Sequence, residues 1–279
     1  MAQASAHRAA AFFDLDKTVI ARSSALAFSR PFYAGGLITR RAVLRSAYAQ
    51  FVYVIGGADH DQMERMRAYL SDLSTGWDVQ QVRDLVEEAL ERLIEPAVYK
   101  EATALIAEHR RAGRDVVIVS ASGSEVVEPI GRLLGADRVI ATRMVVENGH
   151  YTGEIEQYVY AEEKARAIRD LAGAEGYPLE DCYAYSDSFT DVPMLAAVGH
   201  PAAVNPDKAL RKEALQRSWP VMDFTHPVTL RSRMAGHVAR VPSGTGPALA
   251  IVGAGAATAG IVWAASRWAR PAAGEGGRP

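Results

Sequence analysis

The sequence predicts an α/β protein built on a parallel sheet with helices on both faces. Short apolar runs rich in β-branched residues alternate with longer segments of helical periodicity over most of the 279 residues. Strands of a parallel sheet are buried on both faces, so they read as continuous apolar runs. One stretch, 23–95, has helical spacing and no convincing strand, which predicts a helical insertion of about seventy residues.

The first predicted strand, Ala9–Leu15, is a dense apolar run that ends in acidic residues. Within the insertion, three segments have helical spacing: Ala42–Val54, Gln62–Leu73 and Val79–Leu93. Pro96 opens the next helix, Ala97–Ala112, because proline is tolerated in the first turn of a helix. Gly113 then ends that helix.

The middle of the chain predicts a β-branched strand, Asp115–Ser120, followed by a helix over Glu125–Leu134 that contains Pro129. Arg138–Thr142 is a further short strand. A hairpin follows, because Asn148-Gly149 is a preferred two-residue turn. Its two strands are Met144–Glu147 and Tyr151–Ile155.

The last third continues the alternation that is typical of a parallel sheet. Its elements are a helix over Glu162–Ala174, a strand over Cys182–Ser186, a short helix over Val192–Ala197 and a strand over Pro201–Val204.

Composition limits the function classes and the compartment. A formal net charge of -2 and a pI of about 6.4 do not indicate a nucleic acid partner. Cys182 is the single cysteine, so no internal disulfide can form and a reducing cytoplasm is the natural location. The segment Met1–Ala11 has no long apolar run and does not resemble a signal peptide.

Residues 226–279 form a basic linker and an apolar tail. Pro247–Ala265 carries no charge, and its length suits a membrane-spanning helix. It consists mostly of alanine and glycine, however, so a weakly apolar helix that packs on another surface is an equal alternative. A tether of this kind would favour a lipid or another membrane-located substrate.

Reactive side chains follow four of the predicted elements, at the edge where ligands bind in open α/β sheets. They are Asp14 and Asp16 after the first strand, Ser120 after the second, Lys164 in the first turn of a helix, and Asp187 with Asp191 after a late strand. Each alone has a simpler explanation, such as a turn, a cap or a solvated lysine.

Together these groups are suited to phosphoryl transfer. A carboxylate pair such as Asp14 and Asp16 can bind a hard cation, and a carboxylate can attack phosphorus. Thr18, Ser120 and the small residue Ala121 can present hydroxyl and amide groups to phosphate oxygens. Lys164 can offset phosphate charge. Of the last two acids, one can bind Mg²⁺ while the other orients that lysine or the metal ligands.

The sequence resembles the haloacid dehalogenase superfamily, in the branch of the phosphoserine phosphatase-like hydrolases. The resemblance lies in four motifs: Phe12-Phe13-Asp14-Leu15-Asp16-Lys17-Thr18, Val117-Ile118-Val119-Ser120-Ala121-Ser122, Glu163-Lys164, and Tyr185-Ser186-Asp187-Ser188-Phe189-Thr190-Asp191-Val192-Pro193. It implies a Rossmann-like three-layer core over 8–22 and 96–225 and an all-helical C1-type cap over 23–95. The implied activity is Mg²⁺-dependent hydrolysis of a small-molecule or lipid phosphate ester.

The resemblance also implies residue roles. Asp14 would be the nucleophile and a metal ligand, and Asp16 would be the general acid and base, with its carbonyl on the metal. Asp187 would bind Mg²⁺ and Asp191 would support it, while Ser120 and Lys164 would hold phosphoryl oxygens.

One departure from the family pattern argues against phosphoserine as the main substrate. The glutamate that reads the substrate amine in phosphoserine phosphatases falls, by spacing, on Ser23. Three alternatives remain open: a phosphoserine phosphatase proper, a phospho-acceptor signalling domain and a non-catalytic interaction domain. The sequence does not indicate an oligomeric state.

Overall fold

A computed structural model describes residues 8–39, 68 and 71–226 of the chain. Within those ranges, no helix combines the length and the apolar character needed to cross a membrane. Of the predicted linker and tail over 226–279, only His226 is described, and the proposed anchor at 247–265 lies outside the described residues.

The described residues contain a seven-stranded sheet with the strand order β4-β3-β2-β1-β5-β6-β7. Every neighbouring pair is parallel except β3 with β4. The strands are β1 Ala10–Asp14, β2 Asp115–Gly123, β3 Arg138–Glu147, β4 His150–Gln157, β5 Tyr183–Ser186, β6 His200–Val204 and β7 Val221–Met222. This confirms the predicted α/β class with a mostly parallel sheet.

The described α-helices lie between these strands in the chain. They are Ser24–Ala27, Ser29–Ala34, Val79–Leu93, Lys100–Arg111, Ser124–Leu134, Glu162–Glu175, Val192–Ala196 and Lys208–Gln216, and residues 71–74 are also helical. Three short 3₁₀ turns, Glu95–Ala97, Leu179–Asp181 and Phe189–Asp191, join some of them to their neighbours.

The alternation of side chains along β1 divides the hydrophobic core into two clusters. Phe13 packs with residues of the helices Val79–Leu93 and Ser124–Leu134 on one face of the sheet. Phe12 points to the other face, where the helix Glu162–Glu175 covers it. Both rings are buried, as expected for a central strand between two helical layers.

The turn of the predicted hairpin was correct, but the strand that precedes it was predicted too short. Asn148 and Gly149 both have positive φ, at 50° and 80°, as a two-residue hairpin turn requires. The two short strands predicted before that turn form one strand, β3. Its first half pairs parallel with β2 and its second half antiparallel with β4, with a register irregularity at Arg143 and Met144.

Two elements near the end of the described region were not predicted. Asp207 caps the start of the helix Lys208–Gln216, because its carboxylate accepts a hydrogen bond from the Leu210 amide at 2.7 Å. The strand β7 has only two residues, too few to show a periodicity.

The predicted insertion, 23–95, is described only in part. Its described regular elements are helical, including 71–74. The helix Val79–Leu93 packs its buried face into the same cluster as Phe13. The predicted helix Ala42–Val54 and most of Gln62–Leu73 lie outside the described residues. The boundaries of a separate cap domain therefore stay a prediction.

Candidate active site

Register brings the predicted reactive residues to one edge of the sheet. Asp14 is the last residue of β1 and is paired in register with Val119 of β2, so Ser120 lies one residue further along. On the other side, Phe13 is in register with Tyr185 of β5. Asp187 follows that strand, and the carboxyl ends of these three strands are therefore adjacent.

The turn after β1 is fixed by its backbone. The Val19 and Ile20 amides both donate to the Leu15 carbonyl at 3.0 Å. Lys17 has a φ of 64°, a left-handed conformation that costs energy for a residue with a side chain and that is often found at functional turns. The exposed Lys17 points away from the core, while Thr18 is fully buried.

Lys164 joins the first and last motifs. Its Nζ donates to Asp14 Oδ1 at 2.6 Å and to Asp191 Oδ2 at 2.7 Å, and all three side chains are buried. The two carboxylates outweigh the effect of burial and raise the pKa of Lys164, which keeps it charged. The Ser186 hydroxyl also donates to Asp191 Oδ2 at 2.7 Å. Asp191 thus orients the lysine, as one of the sequence interpretations allowed.

The surroundings at this edge of the sheet disfavour the ionised forms of the carboxyl groups. Burial, reinforced by Asp191 and Asp16 and opposed by Lys164, raises the pKa of Asp14 to about 7. Burial and the charge of Asp14 raise the pKa of Asp187 to about 8. Asp187 accepts a hydrogen bond from Thr18 Oγ1 at 3.4 Å. A bound cation would relieve this repulsion.

Asp16 is held by a residue that the sequence analysis did not identify. The Ser24 amide donates to Asp16 Oδ1 at 2.8 Å, and the Ser24 hydroxyl donates to Oδ2 at 3.2 Å. Burial raises the pKa of Asp16, and these two hydrogen bonds oppose that rise. Ser24 lies eight residues beyond Asp16, and no motif or periodicity marked it.

The end of β2 supplies a small polar loop. Ser120 is buried and Ala121 is exposed. The Ser122 amide donates to Ser120 Oγ at 3.2 Å, so the loop closes on the hydroxyl. The pairing of β2 with β3 is irregular between Ser120 and Gly123, which turns this loop out of the regular ladder.

The donor set at this edge fits a hard cation such as Mg²⁺. Across the described residues, no three His, Cys, Asp or Glu side chains form a ready metal-binding group. Mg²⁺ does not require one, because it retains several waters and is usually held by one or two carboxylates with substrate phosphate. Asp14 and Asp187 provide two such carboxylates, each with a raised pKa.

Comparison with known proteins decides the family. The model of the haloacid dehalogenase-like hydrolases matches residues 11–196. The chain belongs to this family. The match includes the four motifs and all six of the charged or hydroxyl residues that the sequence indicated as reactive. It confirms the resemblance inferred from those motifs, and with it the prediction of a hydrolytic enzyme.

Three curated relatives align with most of this chain and over most of their own length. A Streptomyces azureus protein named for inhibition of morphological differentiation is 66% identical, over 93% of this chain and 94% of its own length. A probable phosphatase of Mycobacterium tuberculosis is 59% identical, over 91% and 88%. A phosphoserine phosphatase of the same organism is 35% identical, over 91% and 80%.

Solved structures support the fold. A Bordetella pertussis protein of unknown function aligns with a TM-score of 0.69 at 30% identity, covering 78% of this chain and 99% of its own. A phosphoserine phosphatase carrying a phospho-aspartyl intermediate analogue aligns with a TM-score of 0.57 at 21% identity, covering 82% and 99%. The second likeness concerns the fold alone.

Proposed function

We propose that this hydrolase is a Mg²⁺-dependent phosphatase that cleaves phosphate monoesters through a phosphoryl group carried on Asp14. The observation that carries the proposal is the buried contact of Lys164 with Asp14 and Asp191, beside the carboxyl group of Asp187. Four buried or half-buried carboxyl groups around one lysine would destabilise an ordinary hydrophobic core, but they suit the binding of a cation and a phosphate.

The metal would be held by the carboxylates of Asp14 and Asp187 and by the backbone carbonyl of Asp16, with Asp191 supporting the arrangement. When bound, Mg²⁺ supplies positive charge that lets a carboxylate and a phosphate dianion approach one another.

The residues of this chain would divide the reaction into two displacements. An Asp14 oxygen forms a bond to phosphorus while the bond from phosphorus to the leaving oxygen breaks, and Asp16 gives that oxygen its proton. Asp16 then accepts a proton from a water molecule, which attacks the phosphorus. The bond to Asp14 breaks, inorganic phosphate leaves, and both carboxyl groups return to their starting states.

The remaining polar groups would bind the phosphoryl oxygens. Lys164 neutralises charge while its contact with Asp191 fixes its position. Ser120 Oγ, the Ala121 amide and Thr18 are the neighbouring donors at the ends of β1 and β2. Donors that are already oriented before substrate binds cost little to reorganise during the reaction.

A phosphate-release screen tests the proposal. The purified full-length chain is assayed with Mg²⁺ on a panel of phosphate monoesters, beside Asp14→Asn and the control Asp170→Asn, which changes an exposed aspartate on a core helix. We expect turnover by the wild type and the control and none by Asp14→Asn. Equal release by wild type and Asp14→Asn would overturn the proposal, and so would the absence of release from every ester.

The substrate class is proposed to be a phosphorylated small molecule, consistent with relatives named phosphatases. The relative named phosphoserine phosphatase makes phosphoserine a second candidate. Ser23, where the amine-reading acid was expected, is half-buried beside the Asp16 contact and carries no charge. We therefore expect phosphoserine to be cleaved with a lower kcat/KM than the best ester of the panel, and the reverse order would support the second candidate.

The alternatives of another class conflict with the family match, which identifies the chain as a hydrolytic enzyme. A phospho-acceptor or a non-catalytic domain would bind Mg²⁺ without repeated turnover.

A cytoplasmic location is also part of the proposal. A lipid substrate rests on 247–265 alone, which lies outside the described residues.

A further inference from the structure

A chain of three serines connects the proposed general acid to the phosphate-binding loop. Asp16 accepts two hydrogen bonds from Ser24, and Ser24 Oγ lies 2.9 Å from Ser122 Oγ. The Ser122 amide donates in turn to Ser120 Oγ at 3.2 Å. These contacts link the end of β1, the helix that begins at Ser24 and the end of β2 within one network.

We propose that Ser24, supported by Ser122, is the positioning residue that fixes the Asp16 carboxyl group for proton transfer to the leaving group. The inference rests on the proposed function and assigns residues that none of the four motifs marks as part of the machinery. Ser122 is the last residue of the second motif, where no role was assigned to it.

The geometry supports a positioning role. Ser24 is fully buried, and its amide and hydroxyl reach different oxygens of one carboxyl group. Two donors on two oxygens fix the rotation of the carboxyl plane as well as its place. A carboxyl held by a single bond would keep rotational freedom that a general acid must lose before reacting.

The backbone around Ser24 makes this hold rigid. The Ala21 amide donates to the Ala97 carbonyl at 2.8 Å, and the Tyr99 amide donates to the Val19 carbonyl at 3.0 Å. The segment between Asp16 and Ser24 is thereby tied to the chain that enters the helix Lys100–Arg111. Ser24 therefore follows a backbone segment that two hydrogen bonds hold in place next to Asp16.

The contact with Ser122 fixes the orientation of the Ser24 hydroxyl. That hydroxyl has one hydrogen, which it gives to Asp16, so it can accept the hydrogen of the Ser122 hydroxyl. Because Ser122 also contacts Ser120, the acid and the phosphate-binding loop are set relative to each other. Loss of Ser122 is therefore expected to act in the same direction as loss of Ser24, with a smaller effect.

The test compares leaving groups. A p-nitrophenyl ester leaves readily without a proton, whereas an alkyl ester needs one, and kcat/KM reports the steps up to the first irreversible bond cleavage. For Ser24→Ala we expect kcat/KM to fall about 10- to 100-fold on alkyl phosphates and about threefold or less on p-nitrophenyl phosphate. Ser122→Ala should show the same selectivity at about threefold to tenfold.

Two further variants serve as matched comparisons. Ser124→Ala removes a neighbouring hydroxyl that donates to Glu125 at 2.9 Å. Its kcat/KM on both esters should equal that of the wild type. Ser24→Thr retains the amide and the hydroxyl and should recover alkyl ester activity. Urea unfolding of each variant checks that the fold is intact, and Ser122→Ala, at a half-buried position, carries the test if Ser24→Ala does not fold.

The failure of this inference is distinct from the failure of the proposed function. If wild type turns over and Asp14→Asn does not, but both serine variants lose activity equally on the two esters or not at all, the positioning role is wrong. If wild type itself releases no phosphate, the proposed function is wrong, and the positioning role falls with it.

Discussion

Replacing Asp187 with asparagine should stabilise the metal-free protein at neutral and alkaline pH while removing a metal ligand. Burial and the nearby Asp14 charge raise the pKa of Asp187 from 3.8 to about 8. The folded protein therefore holds a proton that the unfolded chain releases above its ordinary pKa. The stability contributed by this proton is complete below pH 3.8 and is lost as the pH rises through about 8.

The size of the effect follows from the difference in pKa. One pKa unit is worth about 1.4 kcal/mol, so folding with Asp187 at pH 7 costs about 4 kcal/mol relative to a side chain that does not ionise. An asparagine carbonyl can still accept the hydrogen bond from Thr18. We therefore expect the stability gained by Asp187→Asn to rise from near zero at pH 4 to about 4 kcal/mol at pH 7.

Urea unfolding of the EDTA-treated protein between pH 4 and 8.5 measures this gain, with Asp170→Asn as the exposed control. Added Mg²⁺ should stabilise the wild type by about 2.7 kcal/mol at a hundredfold excess over its dissociation constant. It should stabilise Asp187→Asn much less. A variant that is less stable than wild type at pH 7, or a gain that does not change with pH, would show that ionised Asp187 does not destabilise the metal-free fold.

Three other outcomes are expected from the same site and core. Lys164→Met should lower kcat by about 10²-fold or more. At pH 8 it should also destabilise the metal-free protein by about 3 kcal/mol, because it leaves buried Asp14 and Asp191 without their cation. A normal kcat or an unchanged urea midpoint would contradict this expectation. Burial and Arg114 lower the pKa of His109 to about 4, so the stability that its neutral form contributes above pH 6.5 should be lost toward pH 4, by about 3 kcal/mol. His109→Gln should flatten that decline in urea unfolding, and an unchanged slope would count against it. Treatment with EDTA should abolish phosphate release, and Mg²⁺ should restore it; full activity in EDTA would exclude the proposed metal requirement.

The sequence predicted the sheet well because its strands are buried on both faces. Ala10–Asp14 and the β-branched run at the start of β2 have no amphipathic alternative, so only a central strand explains them. The parallel order then brings Asp14 and Asp187 together, since the carboxyl ends of parallel strands meet at one edge.

Contacts that depend on the path of a turn could not be predicted in the same way. Ser24 reaches Asp16 only because the chain reverses after β1 and is held against the segment around Ala97. No periodicity encodes that return. The continuity of β3 was also missed, because one strand there pairs in parallel with one neighbour and antiparallel with the other.

The division of labour between the two late acids depends on side-chain direction. As strand-end carboxylates Asp187 and Asp191 are equivalent, and only the family resemblance assigned the metal to Asp187 and a supporting role to Asp191. In the structure Asp191 is bound to Lys164 and Ser186, which leaves Asp187 as the acid that contacts Thr18 of the first motif. Asp191 is the last residue of the 3₁₀ turn Phe189–Asp191, which follows Asp187 and Ser188 in the chain.

The most direct measurement of the central claim is acid-quenched turnover followed by peptide mass mapping. The full chain is mixed with Mg²⁺ and the best ester of the panel and quenched during steady turnover. We expect the mass of one phosphoryl group on the peptide that contains Asp14, sensitive to hydroxylamine and absent from Asp14→Asn. A phosphoryl group on another residue, or rapid turnover with no phosphorylated peptide, would exclude Asp14 as the phosphoryl carrier.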